Sequence, residues 1–152
     1  MANAQAMCTS FKKEILNGKH AFGASVARGD TTKDDFYAAL YLATASKGAA
    51  TTVYDATGEV SGNNYSAGGV AVTTATPPSN SGTSAIFTPS ASIVFTNVTL
   101  ATAFDAVLIY NDTSATKLAV SVHTFGSQTI TAGTLTLTMP VDAVGTALIQ
   151  IT

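Results

Sequence analysis

The chain has 152 residues and a formal net charge of −2, with 46% apolar residues but only 11% charged, against about 25% charged in ordinary soluble domains. That length suits one domain with a real core and not two independent ones. The near-neutral balance excludes a general basic footprint for nucleic acid, and no run approaches the ~18–20 apolar residues of a membrane-spanning helix.

Serine and threonine make up about a quarter of the chain, so hydroxyls rather than ions cover its surface. Such a surface suits burial against other protein, where each ion would need a partner. It suits an enzyme cleft poorly, because clefts rely on ionisable groups. The charge is also uneven: residues 1–47 sum to +2 and the remainder to −4, with Lys117 the one basic residue after Lys47. The two ends therefore present different faces to partners.

In chain order, residues 1–8 are small and polar and read as a flexible arm, with neither the basic start nor the apolar run of a secretory signal. Met7, Phe11 and Ile15 fall at i, i+4 and i+8, and Asn17-Gly18 is a stop, so a short helix is expected between Thr9 and Gly18. Residues 23–35 are a loop by composition. The segment 36–43 fits helix or strand by period, and the β character of the rest decides for strand. Residues 46–69 read as a long loop with a helical turn at 51–57, tethered by Tyr54, Val60 and Tyr65.

After Gly69 the signals are those of strands. Val70–Thr73, Ala85–Phe87, Ser92–Phe95, Val107–Tyr110, Leu118–Val122, Gly133–Pro140 and Ala147–Ile151 are each short, β-branched and bounded by turn residues. Val107–Tyr110 is apolar throughout, as in a strand covered on both faces. Gly133–Pro140 alternates, with Leu135, Leu137 and Met139 inward and threonines outward. The expected fold is mainly β: an antiparallel β-sandwich or small barrel, with a short N-terminal helix and arm over residues 1–18 and one β-rich domain over 19–152.

The residues carry no recognisable reaction. Phosphate-loop, dinucleotide, nucleophile-elbow and zincin motifs are missing. His20 reads as a solvated or helix-capping residue, and His123 as a strand residue sharing a face with Ser121. Cys8, the one cysteine, has no base beside it and reads as inert. Asp30–Asp35 offers oxygen ligands for calcium but lacks the glycine and the closing glutamate of a calcium loop, so these acids read as solvated. No cofactor or metal is expected. A carbohydrate site would lack tryptophan stacking, and the candidate binding loop is Tyr54, Asn63, Asn64 and Tyr65. Candidate contacts to a neighbouring protein are Phe11, Lys12, Lys13 and Leu16 on the N-terminal helix. With one lysine to guard every strand edge in the last 105 residues, the chain should pair or cover its edges by oligomerising.

Four blocks carry a resemblance. They are Ser10-Phe11-Lys12-Lys13-Glu14-Ile15-Leu16-Asn17-Gly18-Lys19-His20-Ala21-Phe22; Phe36 with Ala39-Leu40-Tyr41; Tyr54 with Glu59-Val60-Ser61-Gly62-Asn63-Asn64-Tyr65-Ser66-Ala67-Gly68-Gly69; and Leu108-Ile109-Tyr110-Asn111. In this order they resemble a group of small tailed-bacteriophage virion proteins, from which the chain departs by a longer stretch between Phe22 and Phe36. The resemblance implies a non-enzymatic structural subunit of the virion, assembled in the host cytoplasm. The expected role is capsid decoration, cement or head accessory, bound to the major capsid or another virion protein, as a homo-oligomer with a trimer favoured. The alternative is a tail or collar module that binds a host glycan or receptor. Neither nucleic acid nor membrane is an expected partner.

Overall fold

A computed structural model describes residues 2–16, 18–22 and 33–152, apart from the Leu16 side chain. The chain is mainly β and antiparallel, with one short helix near its N-terminus, in a sandwich-like arrangement. Its elements are β1 (Ala6–Met7), α1 (Thr9–Leu16), β2 (Phe36–Leu42), β3 (Val70–Val72), β4 (Ser79–Ser81), β5 (Ser84–Phe87), β6 (Ile93–Asn111), β7 (Ala119–Leu137) and β8 (Ile149–Ile151). One sheet runs β1-β7-β6-β2-β3 and the other β4-β5-β8.

β2 sits against β6, and Ala38, Ala39, Leu40 and Tyr41 are all fully buried there. The apolar run Val107–Tyr110 lies opposite them and is buried on both faces, as its composition requires. Phe87 and Ile149 of the smaller sheet join the same hydrophobic cluster, so the two sheets share one core.

β6 and β7 are 19 residues each and form one long hairpin. Alternation from Phe95 would bury Asn97. Instead Asn97 adopts φ 52°, the register slips, and burial resumes at Val98 and Leu100. A second irregularity falls between Leu100 and Phe104, and on β7 Ala132 stands at φ 46°. Such bulges bend a ribbon and sharpen its twist. Accordingly Ile93 and Val107, on one strand, line the same cavity of about 300 Å³ as Leu137 and His123 on the other. A straight strand would hold those ends about 45 Å apart, so the hairpin curls over itself.

The described part of the expected arm, residues 2–8, is not free. Ala6 and Met7 pair with Val122 and Ser121. Asn3 donates to the Leu42 carbonyl at 3.0 Å and to Asp105 at 2.6 Å, and accepts from the Lys47 amide at 2.9 Å. The polar lettering that reads as an arm is there to satisfy backbone and carboxylate groups of the body. α1 ends as its sequence indicates: Gly18 N–H donates to Ile15 O and Lys19 N–H to Glu14 O, at 2.9 and 3.0 Å, which closes the last carbonyls. The helical turn expected at 51–57 does not form. Val53 bridges to Leu118, with Tyr54 N–H on Lys117 O and Ala119 N–H on Thr52 O, so the segment is pinned to the hairpin instead.

Candidate functional site

The expected binding loop folds inward around Glu59. Its Oε2 accepts from the Tyr54 hydroxyl at 2.7 Å, and its Oε1 accepts from the Tyr65 hydroxyl at 2.7 Å and the Gly68 amide at 2.8 Å. Tyr65 in turn accepts from the Leu40 amide of β2 at 3.0 Å, and Tyr110 donates to Gly68 O at 2.8 Å. The Tyr54 and Tyr110 rings stack at 4.7 Å, and Tyr65 lies 5.9 Å from Phe95. Burial, then the hydrogen bond and charge of Glu59, push the Tyr54 hydroxyl up to about 12. Burial also holds Tyr41, Tyr65 and Tyr110 well above the ordinary phenol range.

The glycines of this loop are required by close approach. A Cβ at Gly62 would lie 1.9 Å from Thr99 O. One at Gly69, whose φ is 80°, would lie 1.8 Å from Ala38 O. Tyr54 and Tyr65 are therefore committed to a latch that ties the loop to the sheet. Asn63 bridges Thr99 and Asn64 donates to Asn97 O at 2.8 Å, so both are exposed yet engaged with β6. Beside the latch, Lys47 holds Asp55 at 2.6 Å and sits 4.5 Å over the Tyr41 ring. Although burial alone would raise it, the hydrogen bonds from Lys47 and the Thr57 amide hold Asp55 below its usual range. Glu59 is the residue that sequence reasoning missed; its signal was the one glutamate of the 46–69 loop, set among tyrosines and glycines.

The helix candidates separate. Phe11 is fully buried against His20 and Phe22 and cannot contact a partner, whereas Lys12 and Lys13 are exposed. The Leu16 side chain lies outside the described residues.

His20 is neither solvated nor a simple cap. Its side chain is fully buried, with Nε2 3.1 Å from Glu14 and Nδ1 3.2 Å from the Asn111 amide. Because that amide is a donor, Nδ1 accepts and Nε2–H donates to Glu14. The helix spacing that placed Phe11 inward places Glu14 inward too, and the histidine is its partner. Asn111 also donates to Asp34 at 2.7 Å, and Asp34 accepts the Ala21 amide at 2.8 Å. Asp34 is thus structural, Asp35 pairs with Lys33, and Asp30 lies outside the described residues. Among the described residues no group of three or more His, Cys, Asp or Glu is placed to hold a metal.

His20 borders an apolar cavity of about 180 Å³ walled by Phe11, Phe22, Phe87 and Ile149, and it is the one titratable group among the lining residues. His123 bonds Ser121 on its own face at 2.9 Å, and burial lowers its pKa. Cys8 is fully buried, and burial followed by the Glu14 charge raises its thiol to about 11.

The largest unused feature is an edge. β7 meets β1 only at Ser121 and Val122. From His123 to Leu137 its outer side has no strand partner among the described residues. That stretch, HTFGSQTITAGTLTL, holds no lysine, arginine, aspartate, glutamate or proline, the residues that ordinarily blunt a free edge. Gly126, Ser127, Thr129, Thr131, Ala132, Thr134 and Thr136 are exposed. No described helix is long and apolar enough to cross a membrane. No protein-family model matches this chain, and no curated protein or solved structure is significantly similar to it.

Proposed function

We propose that this chain is a non-enzymatic structural subunit of a tailed-bacteriophage particle, acting as a capsid decoration, cement or head-accessory protein. The observation that carries the proposal is the open, uncharged β7 edge. A backbone edge of this length is a template for strand addition, and a neighbour's strand would satisfy its N–H and C=O groups. In this reading the edge is covered by a strand of a shell protein when the subunit attaches. The mechanism is mass action: binding to the assembled shell and not to free shell subunits stabilises the shell by a term that grows with subunit concentration. The hydroxyl-rich surface fits this role because it can be buried without stranding ions. The virion location and the phage kinship rest on the sequence blocks. The Glu59 latch gives the Tyr54–Gly69 block a purpose within the fold. The alternative glycan-binding module has less support, since the tyrosines it would use are bonded to Glu59.

The test is attachment to purified parent particles. Thr129→Lys together with Thr131→Lys places two charges on exposed, unbonded edge positions. Particle occupancy should fall by about tenfold or more, while aggregation of the free protein decreases. Unchanged occupancy would refute the edge as the attachment surface.

A further inference from the structure

The charge of the described surface is one-sided. Lys33, Lys47 and Lys117 each hold a carboxylate, at 3.1, 2.6 and 2.6 Å. Lys12, Lys13 and Lys19 are exposed, lack a carboxylate partner among the described residues, and all belong to α1 or the turn that closes it. Lys12 rims a groove of about 350 Å³ formed by Met7 and Ile15 on one side and by Gln150, Ile151 and Thr152 on the other. β8 is the outer strand of its sheet, and Ile151 is 46% exposed. The groove is therefore apolar within and basic at its rim.

The same chain carries the complementary shape. Among the described residues, Val141 and Val144 are the most exposed large hydrophobic residues, at 73% and 49%. Between them stands Asp142, exposed and without an ion-pair partner among the described residues. The turn that presents them is already shaped. The Thr146 hydroxyl bonds the Val141 and Ala143 carbonyls at 2.8 and 3.2 Å, and Ala147 N–H donates to Ala143 O at 2.8 Å. Gly145 N–H donates to Gln150 Oε1 at 2.7 Å, so Gln150 holds the turn and also lines the groove. A preformed knob costs little ordering on binding.

We infer that the 141–144 turn of one copy docks into the groove between α1 and β8 of a second copy. Asp142 meets Lys12, and the valines cover Met7, Ile15 and Ile151. Knob and groove adjoin through Gln150 on each chain, so one two-fold axis lets each copy's knob enter the other's groove. That is the self-complementary geometry of an isologous pair, in place of the trimer expected from sequence. The inference does not depend on the proposed function: it answers the expectation, drawn from the sequence, that the chain self-associates, and attachment through β7 is read separately.

The experiment is a charge exchange followed by sedimentation over a concentration series. Lys12→Glu and Asp142→Lys are both exposed changes, and circular dichroism checks that each variant folds. Each alone should raise the dissociation constant of the pair at least about tenfold, and the double variant should return to within about threefold of the parent. Val144→Asp should weaken the pair in either background. A parent that is monomeric throughout, single variants that associate normally, or a double variant no tighter than the singles would each overturn the inference. Normal self-association with lost particle attachment in Lys12→Glu would overturn it also, and would reassign the groove to the shell protein. Loss of particle attachment confined to the β7 variants leaves the pairing result standing by itself.

Discussion

The Glu59 latch makes a quantitative prediction. Tyr65→Phe removes one hydroxyl that donates to the carboxylate at 2.7 Å and accepts the Leu40 amide at 3.0 Å. Glu59→Gln keeps the shape but replaces a charged acceptor of three donors with a neutral amide, whose nitrogen can take the place facing Tyr54. Hydrogen bonds to charged groups contribute about 1.5–3 kcal/mol each. Because Glu59 is only half-buried, the lower end applies, and each single variant should lose about 2 kcal/mol. At this chain length that corresponds to a fall in Tm of about 4–8 °C. The double variant should lose about 1 kcal/mol less than the sum of the singles, because the two residues share one interaction. Urea unfolding at a fixed protomer concentration measures all three, since self-association makes stability concentration-dependent. A coupling indistinguishable from zero would show that Tyr65 and Glu59 stabilise the protein separately and that the latch is not a unit.

Three further predictions follow from local chemistry. Tyr41, Tyr54, Tyr65 and Tyr110 keep their protons in the folded state above the ordinary phenol pKa, so their stabilisation is complete below pH ~10 and drains away as pH rises further. Tyrosinate absorbance should therefore rise together with loss of circular dichroism; full ionisation in a native spectrum would contradict this. Cys8, raised from 9.0 to about 11, should react with a thiol reagent about a hundredfold slower at pH 8 than it does in urea, and equal rates would place it outside the core. Ala132→Gly should stabilise the protein by about 0.5–1 kcal/mol by relieving the strain of φ 46°, and a loss of stability in urea would contradict the bulge there.

The β character of the chain was legible because its strands are short apolar alternations, and the positions of β2, β3, β5 and β8 follow them closely. The length of β6 and β7 was not. Bulges at Asn97 and Ala132 reset the period of two, so each 19-residue strand reads as two fragments with an apparent loop between. α1 and its stop were visible, and the helix spacing puts Glu14 on the buried side, but the partner that satisfies it there, His20, lies four residues past the helix and is folded back to meet it. A pairing between a helix and a later loop leaves no periodic trace. Tyr54 and Tyr65 stood out as ring-bearing loop residues, and only the placement of Glu59 shows that their hydroxyls are already occupied. The absence of charge from residues 123–137 was plain in the lettering; that these residues lie on one continuous unpaired margin emerges only from the topology.

The central claim is that the β7 margin is built to be covered. Near-atomic imaging of the parent particle addresses it most directly. The account predicts a neighbouring protein's strand hydrogen-bonded alongside residues 123–137 in every attached copy. A particle that lacks this chain, or one in which that margin faces solvent, would contradict it.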